Sequence, residues 1–197
     1  MGLQPHEWLM RLILAGVVSG VCTVLAIFAV ITVPVPVAPG VSAFYIAAAV
    51  YVPFALWFGI WGGPIAGWVS CFILGIYSGF PLWFSAFWAV ADIIEGAVPL
   101  LAFRTFRADP DLRESENKTK SWAMYFIFGV FLASLLSALW GGYTLAWFLG
   151  LPPAAAIIVF LGWFIGDIIV LTVIATPMLY FLTKPIKRSQ IYIEGYI

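Results

Sequence analysis

The stretch AAAIIVFLGWFIGDIIVLTVIATPMLYFLT, residues 154–183, contains a single charged side chain, Asp167. A helix rises about 1.5 Å per residue and the hydrocarbon core of a bilayer is about 30 Å thick, so roughly 20 apolar residues suffice to cross it. The run is therefore read as a membrane-spanning helix with length to spare for a tilt, or for a bend at Gly162, Gly166 or Pro177. Its centre, WFIGDII (163–169), repeats the W-x-x-x-D-I-I pattern of WAVADII (88–94), which lies in another apolar run and is followed by a further acid, Glu95.

The rest of the chain has the same character. Of 197 residues, 64% are hydrophobic and 9% charged, against about 25% charged in an average soluble domain. Apolar runs are counted at 9–32, 42–61, 64–79, 81–103, 122–147 and 154–183. The expected fold is all-α: a polytopic membrane protein, residues 1–197 forming one domain with six transmembrane helices in one bundle. The first run has no small-residue cleavage site and is retained as a helix. The third is short and bounded by Gly62-Gly63-Pro64 and Gly79-Phe80-Pro81, so it is expected to pack steeply or to be partly re-entrant.

Charge placement sets the topology. The nine basic residues are Arg11, then Arg104, Arg107, Arg113, Lys118 and Lys120 in one hydrophilic loop, then Lys184, Lys187 and Arg188 near the end. With six spans all of them share one side, whereas VPVPVAPG (33–40), the 79–81 turn and LGLPP (149–153) carry none. The excess of Lys and Arg on cytoplasmic loops then places both termini, the loop 104–121 and the tail 184–197 in the cytoplasm, and the spans in the plasma membrane. Asn117-Lys118-Thr119 fits a glycosylation sequon, but it faces the wrong compartment on this topology. The stretch RADPDLRESENKTK (107–120) reads as a solvated connector or a docking surface.

Several function classes drop out. Cys22 and Cys71 have no C-x-x-C or His partner and read as small apolar residues. There is no phosphate-binding loop, no H-E-x-x-H and no nucleophile elbow, and the only histidine, His6, precedes the first span. No enzyme activity, cofactor or metal is expected, and with no nucleotide-binding motif the chain is either self-sufficient in the membrane or one part of a larger assembly.

An acid at the centre of a spanning helix costs about 2.5–3.5 kcal/mol on insertion scales, so buried acids face the bundle interior and mark function. Asp92 lies about eleven residues into the fourth run and Asp167 about thirteen into the sixth. Residues four apart share a helix face, which puts Trp88 one turn outward of Asp92 and Trp163 one turn outward of Asp167. If these helices face each other, they wall a cavity with aromatics over a floor of two acids. No Lys or Arg lies at that depth to neutralise them. Three uses stay open: hydrogen bonding between helices, ligand or cation binding by Asp92 and Asp167, and a proton or ion relay. Glu95, further inward and within reach of Arg104, fits the first.

Trp8, Trp57, Trp61 and Trp122 read as anchors at the cytoplasmic interface, and Trp83 and Trp147 as outer anchors. Trp88, Trp140 and Trp163 lie deeper, in the outer halves of their runs. With Tyr143, and with Phe44 and Tyr45 after the proline-rich loop, they supply the aromatic lining typical of small-molecule pockets. In the first run, Ala15-Gly16 and Ser19-Gly20 form overlapping small-xxx-small pairs, a face for close helix approach, either within this chain or on a partner.

The passage VPFALWFGIWGGPIAGWVSCFILGIYSG (52–79), the proline-rich loop before it and DIIEGAVPLLAFR (92–104) after it resemble the substrate-binding S components of energy-coupling-factor transporters. That resemblance covers most of the chain in layout. It implies a prokaryotic six-helix subunit that captures a small micronutrient from outside and needs a coupling membrane subunit and ATPases for uptake. It also implies a ligand site at Trp88, Asp92, Trp140, Tyr143, Trp163 and Asp167, and a docking face for the coupling subunit at Ala15, Gly16, Ser19 and Gly20. The W-x-x-G-D pattern at 163–167, followed by an apolar run and a proline, is similar to a membrane sensor domain fused in bacteria to diguanylate cyclases and histidine kinases. TPMLYFLTKPIKRSQIYIEGYI (176–197) is expected to leave no room for such an output module. The alternative reading is therefore a free-standing sensor or structural subunit of a larger membrane complex, with no transported substrate.

Overall fold

The computed structural model of the chain describes residues 5–197, and every regular element among them is helical. In chain order these are α1 (Pro5–Thr32), α2 (Ala48–Gly62), α3 (Pro64–Tyr77), α4 (Leu82–Trp88), α5 (Val90–Thr105), α6 (Lys118–Met124), α7 (Ala133–Leu149), α8 (Pro153–Val170) and α9 (Thr176–Lys187). Wider π-helical turns at Tyr125–Leu132 and Leu171–Ala175 join α6 to α7 and α8 to α9. The continuous helices His6–Thr32, Leu82–Thr105, Lys118–Leu149 and Pro153–Lys187 are long and apolar enough to cross a membrane. On α1, Ile13, Val17, Val21, Val24, Phe28 and Ile31 form an exposed apolar stripe at helical spacing, a face suited to hydrocarbon rather than water.

The expected spans 42–61 and 64–79 take a different form. Helices α2 and α3 are bent by 97° against each other and count as a fifth crossing when taken as one broken pair. At 15 and 14 residues they reach only about 22 and 21 Å, short of a 30 Å core. The bend comes from Gly63-Pro64. A side-chain carbon at Gly63 would overlap Ala55, so only glycine lets the chain turn back so closely. Residues 42–47 stay out of the helix because Ser42 Oγ donates to the carbonyls of Ala29 (2.9 Å) and Val33 (3.0 Å) at the end of α1.

Helix α3 then packs onto α4 and α5 through its small residues. Side-chain carbons at Gly67 and Gly75 would come within 3.1 Å of the Asp92 carbonyl and 2.7 Å of Ser85 Oγ. This close approach brings Cys71 and Leu74 against the two helices that carry Trp88 and Asp92.

The molecule has two distinct ends. One gathers the loop 33–47 and the turn after α3, with the loop laid along the middle of α8: Val35 lies over Gly162, Ala43 over Gly166, and Ser78 against Gly40. The opposite end gathers all the basic residues. Lys184 pairs with Glu114 at 2.5 Å, Lys187 with Asp109 at 2.8 Å, and Asn117 caps α6 by accepting from the Lys120 N–H at 3.0 Å. Here α2 breaks at Phe58 and Gly59, the latter at φ 63°, ψ −146°, a region open to glycine. The tail fills the gap: the Ile193 N–H donates to the Trp57 carbonyl (2.9 Å) and the Ile60 N–H to the Tyr196 carbonyl (3.0 Å). Arg104 donates to the carbonyls of Leu56 (3.0 Å), Ile193 (2.6 Å) and Gly195 (3.0 Å). Its guanidinium is thus spent on backbone, and of the two partners open to Glu95, Arg104 or a neighbouring backbone, Arg104 is not the one used.

Among the expected anchors, Trp57 is fully buried and donates Nε1–H to Thr183 Oγ1 at 3.0 Å, so it is a core residue. Trp8 and Trp61 stay together at the basic end, edge to face at 5.4 Å. Trp83 and Trp147 are exposed at the opposite end.

Candidate functional site

The W-x-x-x-D repeats meet. Trp88, at the end of α4, and Trp163, on α8, lie edge to face with ring centres 5.6 Å apart, the arrangement their quadrupoles favour. Trp88 Nε1–H donates to the Gly141 carbonyl of α7 at 3.1 Å. Gly141 in turn makes space for the Trp163 ring, which a side chain at that position would penetrate. Above the two indoles, the loop residues Gly40, Val41, Ser42 and Tyr45 close a small cavity whose remaining wall is Cys71 and Leu74. Its free volume is about 10 Å³, room for about one water.

Tyr45 and Cys71 join this cavity to the acids. Tyr45 O–H donates to Asp92 Oδ2 at 3.1 Å, and the Cys71 thiol lies against the same carboxyl. One helical turn further along α5, Glu95 Oε2 accepts from Tyr51 O–H and faces Asp167 of α8 across the helix contact. Asp92, Glu95 and Asp167 are all completely buried. Asp92 Oδ1, Glu95 Oε1 and both oxygens of Asp167 have no hydrogen-bond partner, and neither has the buried Trp163 Nε1 beside Asp167. Glu95 and Asp167 face each other closely enough to share one carboxyl proton, and the Trp163 indole N–H lies beside Asp167. Buried polar atoms are normally paired, so four orphan carboxyl oxygens and an orphan indole N–H in one cluster mark a place built for something other than packing.

The cluster's chemistry is one-sided. It offers carboxyls, two phenols and a thiol, and no basic side chain. It can take up protons, accept hydrogen bonds from a bound donor or hold a positive charge. Among the described residues no group of three His, Cys, Asp or Glu has the arrangement to hold a metal ion.

Not all of the expected site residues come together. Trp88 and Trp163 line the cavity, while Asp92 and Asp167 lie behind that wall, Asp92 against Tyr45 and Cys71 and Asp167 beside Trp163. Trp140 and Tyr143 do not line it. Trp140 Nε1–H donates to the Phe87 carbonyl at 3.0 Å with its ring against Phe87. Tyr143 is exposed and borders an open apolar groove with Trp83, Phe87 and Trp147 on the outside of the bundle. Sequence reading had set Tyr45 among the pocket aromatics but had not found Tyr51 or Cys71, which no motif announces, nor the pairing of Glu95 with Asp167. On α1, Ala15 and Ser19 are buried, while side-chain carbons at Gly16 and Gly20 would meet nothing within 4 Å. The small-residue pairs therefore border an open groove whose other wall includes Ile65, Val69 and Ile73 of α3.

No family model, curated protein or solved structure matches the chain.

Proposed function

We propose that the chain is a membrane solute-binding subunit of the S-component type, which takes a small molecule from the outer side and hands it on with the help of partner subunits. The observation that carries this reading is the small cavity: aromatic walls from α4 and α8, a cover formed by Gly40, Val41, Ser42 and Tyr45, and, behind Tyr45 and Cys71, three buried acids with unpartnered oxygens. Ligand sites are apolar and aromatic with a few polar groups that fix orientation, and this inventory fits.

In this reading the chain crosses the membrane six times. Helix α2 starts beside the loop 33–47 and its last turn is bonded to the tail, while the end of α3 returns to Gly40. This reading takes the two short arms as one passage inward and one outward. With the basic residues at one end, both termini face the cytoplasm. The groove bordered by Gly16 and Gly20 lies along the membrane and would receive a helix of the coupling subunit.

The test is purification followed by mass spectrometry of any co-purifying small molecule and ligand-dependent quenching of tryptophan emission, repeated in Trp88→Phe and Trp163→Phe. An impermeant thiol reagent adds a check on access. Ser42→Ala removes the tethers of the lid, and with a hydrogen bond worth about 0.5–1.5 kcal/mol Cys71 should react up to about tenfold faster, while Cys22 stays protected. A chain that carries nothing, with quenching absent and Cys71 inert, would instead favour the second reading. That reading is a sensor or structural subunit with no transported solute, and the tight packing around the 10 Å³ cavity is the observation on its side.

A further inference from the structure

The formal charge of the chain sums to zero, but its distribution is lopsided. All nine basic residues and six of the nine acids lie at or near the tail end of the bundle, and the other three acids, Asp92, Glu95 and Asp167, lie fully buried in its interior. Among the described residues no basic side chain answers them. Arg104, the nearest candidate on α5, is occupied by three backbone carbonyls. The groups that face the acids from the other elements are the hydroxyls of Tyr45 and Tyr51 and the thiols of Cys22 and Cys71, none of which brings a positive charge.

We infer that the solute taken at this site is an organic cation, an ammonium or amidinium compound that rests against the paired indoles of Trp88 and Trp163 and turns its charged head toward Asp92, Glu95 and Asp167. This rests on the capture reading above and narrows it.

The alternatives fail on the same observations. An anion would be driven toward three carboxyls. A neutral solute would bring fewer donors than the four unpaired carboxyl oxygens can take, with only the Trp163 indole N–H beside Asp167 to add to them. A metal ion lacks the ligand arrangement. A cation with several N–H or C–H donors meets both the orphan acceptors and the ring faces, since indoles attract positive charge as well. The neighbouring Glu95 and Asp167 carboxyls match the two parallel donors of an amidinium-type head. Entry requires the lid at 33–47 to move outward, because the closed cavity holds about one water.

The experiment uses the purified full chain in detergent with charged and uncharged twins as probes: choline against its carbon isostere, in which the quaternary nitrogen is a quaternary carbon, and guanidinium against urea at non-denaturing concentration, with acetate as the anion. Tryptophan quenching and the unfolding midpoint are read for each. The expected result is that the cation of at least one pair binds about tenfold or more tightly than its uncharged twin, and that Asp167→Asn or Glu95→Gln removes the preference while Asp167→Glu restores part of it. The comparison of twins is made on the unaltered chain, so it stands even if the variants fail to fold. A neutral twin or acetate binding as well as the cation overturns the inference, as does silence toward every cation. An uncharged or anionic solute that co-purifies and responds to Trp163→Phe would overturn the cation and leave solute capture standing. A chain that is empty and silent to every probe would remove both.

Discussion

Gly141 and Trp163 fit together only because one of them has no side chain: a carbon added to Gly141 would lie inside the indole. The same glycine's carbonyl holds Trp88, so a single backbone position on α7 sets both aromatic walls of the cavity. Gly141→Ala should lower stability by about 1–3 kcal/mol, the usual cost of overpacking a filled interior, and should shift tryptophan emission as the two rings separate. Thermal unfolding in detergent and the emission spectrum read both effects. An unchanged midpoint with an unchanged spectrum would mean the walls are held some other way.

Tyr51 O–H donates to Glu95, whose carboxyl also faces that of Asp167. Tyr51→Phe removes the phenol donor from this buried carboxyl and should cost about 1–3 kcal/mol. Glu95→Gln in the same chain should not add its full single-site cost, since the two groups belong to one network, and an interaction energy of about 0.5–3 kcal/mol is expected from the double-mutant cycle. Strict additivity would count against the bond.

At the basic end, Gly59→Ala introduces a side chain at φ 63° and drives it into the Tyr196 carbonyl. Arg104→Ala leaves three carbonyls without their donor. Both should release the tail from the last turn of α2. Hydrogen exchange should rise at Ile60 and Ile193, whose N–H groups make the bridging bonds, while the amides around Trp88 keep their protection. Loss of protection at Trp88 as well would show that the strap supports the whole bundle.

Glu114 has a pH signature. Its hydrogen bond with Lys184 holds the carboxyl below the ordinary value of 4.5. A carboxyl depressed in the folded state contributes above its ordinary value and loses that contribution as pH falls through the depressed one. Both partners are solvent-exposed, so the effect is modest. Exchange in the segment 111–116 should rise as pH drops from 4.5 downward, relative to the intrinsic rate, and Glu114→Gln should remove that rise. A variant that keeps the same profile would locate the dependence elsewhere.

The membrane character and the single charged end could be read from the chain, because apolar runs and the placement of Lys and Arg are one-dimensional signals. The meeting of Trp88 with Trp163 followed from the repeated W-x-x-x-D spacing, since residues four apart share a face whatever surrounds the helix. Which way α7 turns could not be read. Its lipid-facing surface is as apolar as its buried one, so no hydrophobic stripe told Trp140 and Tyr143 that they belong to the outside. The bend between α2 and α3 was hidden for a related reason: a count of apolar residues is blind to direction, and Gly62-Gly63-Pro64 announces a turn without giving its angle. Tyr51 and Cys71 escaped notice because their roles come from long-range packing onto α5.

The π-helical turns at 125–132 and 171–175 touch where Tyr125 O–H donates to the Leu171 carbonyl at 2.7 Å, and Leu171 lies one turn beyond Asp167 on the same helix. Such wide turns are frequent at working positions in helices. Here they change the winding of the two longest helices at facing depths, and one phenol ties the two changes together, so the rotational setting of α8 beyond Asp167 is fixed against the helix that carries Gly141. Tyr125→Phe should loosen that setting, read as broader distance distributions between spin labels on α9 and α6.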